Sequence, residues 1–232
     1  EKINEENILS IITGIVKACD ENNCKLVGGE TAQMAEVYTN GKFDLAGFIV
    51  GISEKNKIKD KSDTKSGDLL IGIPSNGIHT NGYSLVRKVF ELEENKKTLF
   101  QQFDELNSTL GEELSKPHIS YFPVIKKIEN YMKISAHITG GGFIENIPRV
   151  INENLDAVIN LGSWEINPIF NLIQKYGKIS DQEMFKVFNM GIGLVVVSNE
   201  ENSKKILSEC KNASIIGYLQ ENQNLKSKVI IN

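Results

Sequence analysis

The sequence predicts an α/β (α+β) fold, with helices layered on a mixed sheet, and three observations predict it. Short runs rich in β-branched and apolar residues, at 69–74, 155–161 and 194–197, alternate with stretches whose apolar residues recur at helical spacing, at 8–19 and 200–210. Several of these strands empty at once into glycine turns, which leaves unpaired backbone N–H groups at the mouth of a sheet. At 232 residues, 40% of them hydrophobic, the chain can bury one large domain or one and a half ordinary ones.

Ile8, Ile11, Ile12, Ile15, Val16 and Cys19 share one helical face, and the polar run Asp20-Glu21-Asn22-Asn23 stops the pattern after about four turns. A short strand at 25–27 then leads into Gly28, Gly29, Glu30 and Thr31, and a second strand at 43–52 is bent by its glycines. Residues 53–67 are polar and lysine-rich, which predicts a linker between domains 1–63 and 64–232. Strand 69–74 enters the turn Ser75-Asn76-Gly77-Ile78-His79-Thr80-Asn81-Gly82, followed by a helix over 83–92 and a charged, solvated stretch at 93–97.

Two prolines stiffen 117–123 into an extended connection before a helix with Val124, Ile125 and Ile128. It carries His118, which either lines a site or makes a structural hydrogen bond. Strand 133–138 feeds Thr139, Gly140, Gly141 and Gly142, then a helix over 143–150, strand 155–161, Trp164 as a packing residue and a helix over 168–175. A further glycine junction, 188–193 with Asn189, opens strand 194–197; its glycines either permit close packing or face a ligand. Helix 200–210 and strands at 214–218 and 229–231 complete the chain.

A net charge of −4 with scattered basic residues gives no footprint for nucleic acid. Cys19, Cys24 and Cys210 are odd in number and lack C-x-x-C spacing, which points to reduced thiols. No run approaches the roughly 18 apolar residues of a membrane span, and the opening Glu1-Lys2-Ile3 has no apolar signal core; a cytoplasmic chain with no membrane partner is expected.

Three glycine junctions, at 28–31, 75–82 and 139–142, together predict a phosphate site, although each alone is accounted for by turn punctuation. His79 and His137 titrate near neutral pH, which suits them to neutralising phosphate or acting as general acid. Asn76, Asn81, Thr139 and Asn189 are neutral donors for phosphate, amide or ribose groups; Asn76 and Asn81 alternatively satisfy the backbone of their turn. Arg87 and Arg149 follow two of the junctions and pair either with a ligand phosphate or with surface carboxylates.

These stretches, Leu26-Val27-Gly28-Gly29-Glu30-Thr31-Ala32, Asp44-Leu45-Ala46-Gly47-Phe48, the SNGIHTNGYSLVR run ending at Arg87, the HITGGGFIENIPR run ending at Arg149 and the EMFKVFNMGIG run ending at Gly193, resemble the aminoimidazole ribonucleotide synthetases, the cyclo-ligases of purine biosynthesis, in order and spacing. The resemblance covers essentially the whole chain. It implies a partial N-terminal ATP-binding and dimerisation domain at 1–63 and a complete C-terminal domain at 64–232, because full-length members carry a further segment with an Asp-Gly-Val-Gly-Thr-Lys motif before this point. It also implies ATP and Mg2+ as cofactors, a ribonucleotide substrate, a homodimer in the full-length family, catalysis by His79 and His137, and ligand binding by the four junctions: Gly28, Gly29, Glu30 and Thr31; Ser75, Asn76, Gly77, Asn81 and Gly82; Thr139, Gly140, Gly141 and Gly142; and Asn189. For Mg2+ the resemblance leaves Glu30 first and Asp44 second, the latter equally explained as a turn-capping carboxylate. At Gln33 the sequence departs from the family's Glu-Met-Pro, and an amide does not bind a cation as a carboxylate does. A chain without the nucleotide motif is expected to bind a phosphorylated ligand without turning it over; a non-catalytic phosphate- or nucleotide-binding module of the same superfamily is the other reading.

Overall fold

The computed structural model describes residues 4–34, 36–38, 42–223 and 226–232; the opening Glu1-Lys2-Ile3 and Ala35, near Gln33, lie outside them. The chain divides into two compact units, Glu1–Ile58 and Lys59–Asn232.

In the first unit, α1 (Glu5–Glu21) forms where the periodicity predicts it. The Asn4 side chain accepts from the Glu6 and Asn7 N–H groups at 2.9 and 3.2 Å, and Glu5 and Glu6 complement the positive end of the helix dipole. Its apolar stripe stays uncovered, with Leu9, Ile12, Ile15 and Val16 all exposed. The strands predicted at 25–27 and 43–52 do not form. A strand needs a ladder partner, since a lone extended segment gains neither hydrogen bonds nor burial. Here Val27 is 94% exposed, Phe48 95% and Ile52 100%.

Every strand among the described residues belongs to the second unit. β1 (Leu69–Pro74), β2 (Ile134–His137), β3 (Leu155–Ile159), β4 (Ile192–Ser198), β5 (Ser214–Glu221) and β6 (Val229–Ile231) form one sheet in the order β2-β4-β1-β5-β3-β6. All neighbours are antiparallel except β3 and β6, so the sheet is mixed, as predicted. The two-residue period of β4 sends Val195 and Val197 into one core and Leu194 and Val196 into another. The first core is closed by α2 (Tyr83–Val89), α3 (Leu110–Leu114), α5 (Gly142–Asn146), α6 (Pro168–Gly177) and α7 (Asp181–Val187), through Val86, Leu110, Phe143, Phe170 and Phe185. The second is closed by α4 (Phe122–Ile128) and α8 (Glu200–Glu209), through Ile128 and Ile206.

Local chemistry accounts for the departures from the predicted elements. A capping box between Thr109 and Glu112 starts α3, which periodicity misses at five residues. The helix expected over 143–150 divides into α5 and a 3₁₀ turn, Pro148–Val150, because Pro148 has no N–H to continue the ladder. The second half of the expected linker is packed into the second unit: Lys61 Nζ lies 2.9 Å from Glu153, and the buried Thr64 hydroxyl oxygen accepts the Asn152 N–H at 2.9 Å. Beside it, Lys133 donates to both oxygens of the buried Asp68 carboxylate at 2.7 Å. Among the described residues no helix is long and apolar enough to cross a membrane.

Candidate active site

Sheet topology brings three of the glycine junctions to one end of the sheet. Because β4 runs antiparallel to both β1 and β2, with Pro74 opposite Ile192 and His137 opposite Leu194, the exits of β1 and β2 flank the entry of β4. The turn 75–82, the turn 138–142 and the junction 189–193 therefore emerge side by side. Gly82 and Gly142 seal the arrangement. Each has a positive φ (87° and 55°), and a Cβ there would overlap the Phe188 ring and the Phe185 carbonyl respectively. At the tip, a Cβ on Gly140 would stand 3.3 Å from Asn81 Oδ1, so the first two turns touch.

All three histidines of the chain meet here. His118 stacks on His79 with ring centroids 3.9 Å apart and planes at 18°, and its Nε2 lies 3.1 Å from His137 Nε2. Its other nitrogen, Nδ1, faces the Thr80 hydroxyl at 3.3 Å. Tyr121 closes the cluster edge-on and donates to the Pro74 carbonyl at 2.9 Å. His79 occupies the left-handed region, φ 58°, which is uncommon for a side chain larger than glycine and marks a turn held by its surroundings.

The Asn76 amide fixes the His79 tautomer. Its Nδ2 donates to the Pro117 carbonyl at 2.9 Å, so Oδ1 is the atom 2.9 Å from His79 Nε2, and Nε2 carries the proton. His79 Nδ1 then holds a lone pair that is buried and has no partner among the described residues. Burial, with the neighbouring His118 and His137, pushes the His79 imidazole down to about 4; burial and His137 lower His118, and burial lowers His137. At neutral pH these rings are uncharged. Uncharged, these rings offer hydrogen-bond donors and acceptors, since crowded imidazoles share too little water to hold several charges.

Other predicted residues turn inward. Asn189 is buried and uses its whole amide on the scaffold, accepting from Ser75 Oγ at 2.7 Å and Gly191 N at 2.9 Å and donating to the Gly77 carbonyl at 2.9 Å. Through these bonds the Ser75 and Asn189 side chains position the turn. Asn146, missed in the sequence, clamps the glycine triplet by donating to the carbonyls of Gly140 and Gly142 at 3.2 and 2.8 Å; its place four residues past Gly142 is the one signal available. Trp164 packs edge-on against Phe143 and Phe185 and also donates to the Met190 carbonyl. Arg149 lies 3.5 Å from Glu145 and Arg87 4.0 Å from Glu93, surface pairs both. Exposed or half-exposed toward solvent remain His137, Thr80, Asn81, Thr139 and Gly140.

Gly28, Gly29, Glu30, Thr31 and Asp44 belong to the first unit and are exposed. The Asp44 carboxylate accepts the Tyr38 hydroxyl at 2.9 Å. Among the described residues no three His, Cys, Asp or Glu side chains gather to hold a metal.

The fold and its glycine junctions define an AIR-synthase-related protein. The C-terminal domain of the AIR synthase related proteins matches residues 65–230 and their N-terminal domain residues 1–53. The chain belongs to the phosphoribosylformylglycinamidine cyclo-ligase family: it is 48% identical to the member from Caldicellulosiruptor bescii over 229 residues, 96% of this chain and 67% of that one, and 47% identical to one from Bacillus cereus over 93% and 64%. It thus spans about two thirds of the length of these relatives. Among solved structures, thiamine monophosphate kinase from Aquifex aeolicus superposes with a TM-score of 0.61 at 14% identity, covering 100% of this chain and 69% of that one, and AaThiL complexed with AMPPCP and TMP with 0.60 at 15%, covering 100% and 66%. At such identities the likeness concerns the fold alone.

Proposed function

We propose that the protein is an ATP-dependent cyclo-ligase that converts formylglycinamidine ribonucleotide to aminoimidazole ribonucleotide, releasing ADP and phosphate. The observation that carries this reading is the convergence of turns 75–82 and 138–142 around three neutral histidines, in a chain 48% identical to a named cyclo-ligase. In this reaction ATP phosphorylates the formyl oxygen, the internal amine attacks the same carbon, and that oxygen departs with the phosphate. Such a sequence needs aligned hydrogen-bond donors and a group that trades protons with the amine and the departing oxygen.

His137, exposed at the end of β2, is the proposed proton-trading group, and His79 orders the turn beside it. The backbone N–H groups of Thr139, Gly140, Gly141 and Asn81 are proposed to hold the ribose phosphate, while the Gly142 N–H closes the turn on the Thr139 carbonyl at 3.0 Å. Gly28, Gly29, Glu30 and Thr31 are proposed for ATP, and Glu30 with Asp44 for Mg2+, which would neutralise charge developing on the phosphoryl oxygens. Homodimer formation, a cytoplasmic location and binding without turnover by these 232 residues alone are proposed from the family resemblance.

The test is phosphate release from ATP and Mg2+ that depends on formylglycinamidine ribonucleotide, using the whole protein. Release abolished by His137→Ala supports the cyclo-ligase. Ribonucleotide binding with no release by the whole protein favours the non-catalytic module.

A further inference from the structure

We propose that Thr80, His118 and His137 form a proton relay, in which His118 is a positioning residue that lets the free nitrogen of His137 alternate between hydrogen-bond donor and acceptor. The role in catalysis rests on the cyclo-ligase reading; the relay itself rests on geometry. His118 has both nitrogens committed, Nε2 to His137 Nε2 at 3.1 Å and Nδ1 to Thr80 Oγ1 at 3.3 Å. Its ring plane is set by the stack on His79 at 3.9 Å and by the edge of Tyr121 at 6.4 Å. One left-handed residue, His79, supplies the stacking ring and delivers the next residue, Thr80, to the far side of His118.

Two neutral imidazoles joined Nε2 to Nε2 share one proton in that contact. In one arrangement the Thr80 hydroxyl donates to His118 Nδ1, His118 Nε2–H donates to His137 Nε2, and His137 carries its second proton outward on Nδ1. In the other, His137 Nε2–H donates to His118 Nε2, His118 Nδ1–H donates to Thr80 Oγ1, and His137 Nδ1 is a bare lone pair. Each arrangement contains one ring protonated at Nδ1 and one at Nε2, so the intrinsic tautomer preference of imidazole cancels between them.

Interconversion balances without a charged ring. When His137 Nδ1–H is given to a departing oxygen, the proton on His118 Nε2 passes to His137 Nε2, the Thr80 hydroxyl proton passes to His118 Nδ1, and the exposed Thr80 oxygen is reprotonated by solvent, whose buffer acid supplies the net proton. Run backwards, the same chain accepts a proton from an attacking amine. A buried or unpartnered histidine in the place of His137 would have to charge at each step, which this crowded cluster opposes.

These 232 residues carry three histidines, so nitrogen NMR of the 232-residue chain labelled at histidine resolves each of their rings. The relay predicts a nitrogen–nitrogen coupling across the His118–His137 hydrogen bond and Nε2 shifts for both that lie between protonated and unprotonated positions. His118→Phe keeps an aromatic ring on His79 and removes both nitrogens; His137 should then collapse to the ordinary Nε2-protonated tautomer while the His79 tautomer stays unchanged. Absence of the coupling, or His137 shifts untouched by His118→Phe, overturns the proposal. Should that variant fail to fold, the wild-type coupling decides alone. Coupling that persists while added ribonucleotide leaves His137 unmoved upholds the relay and counts against the ligand reading instead.

Discussion

Acidification should loosen the second unit through His79, and the size of the effect follows from its environment. The folded-state imidazole is depressed from 6.5 to about 4, so between those values the unfolded chain binds more protons than the native one and stability falls as pH falls. From pH 7.5 to pH 5 the loss from this group, RT ln[(1 + 10^1.5)/(1 + 10^−1)], is about 2 kcal/mol, which for a unit of this size lowers the melting temperature by roughly 4–8 °C. Trp164 is the sole tryptophan and packs in this unit, so its fluorescence in urea reads the relevant transition. His118 and His137 shift in the same direction and add to the wild-type loss, which makes the comparison with His79→Gln decisive. The variant keeps an amide donor for Asn76 but cannot titrate, and it should lose about 2 kcal/mol less than wild type over the same interval. Equal losses in the two proteins would refute the claim that His79 is held neutral by its burial.

Asn189→Ala strands the Ser75 hydroxyl, the Gly77 carbonyl and the Gly191 N–H, and should cost about 2–3 kcal/mol in urea denaturation with the ribonucleotide site weakened in parallel. Gly142→Ala meets the Phe185 carbonyl at a left-handed φ and should cost more than about 3 kcal/mol or prevent folding, whereas Gly28→Ala, with open space around it, should stay within about 0.5 kcal/mol; thermal melts of the two compare them directly. Lys133→Met leaves the buried Asp68 carboxylate without its cation and should destabilise by about 3 kcal/mol, most of it recovered when Asp68→Asn is added. In hydrogen exchange, amides at 24–34 and 42–54, which join no ladder, should exchange far faster than those of β1 and β4; comparable protection would show that these two segments are hydrogen-bonded after all.

The second unit was largely legible in the sequence because its strands are short apolar runs closed by glycines, and β1, β3, β4 and β5 form where those runs stand. Residues 43–52 have the same composition yet stay unpaired, since strand propensity describes fitness for a pleated surface and cannot create a neighbour. The site was legible as a set of turns and illegible as a network. His79 and His137 stand out beside glycines, but nothing in the spacing of His118, far from either junction, says that it will stack on one and bond the other. The inward roles of Ser75 and Asn189 likewise depend on a contact between residues 114 apart in sequence, which topology alone supplies.

Everything proposed for this site requires that the end of the sheet bounded by turns 75–82 and 138–142 receive a phosphorylated ribonucleotide. Calorimetric titration of the 232-residue chain with formylglycinamidine ribonucleotide, beside His137→Ala, measures this directly. Saturable binding by the wild type, weakened roughly 10- to 100-fold in the variant by loss of a hydrogen bond to a charged or strongly polar group, is the predicted result. Equal affinity in the two proteins, or no saturable heat from the wild type, would contradict it.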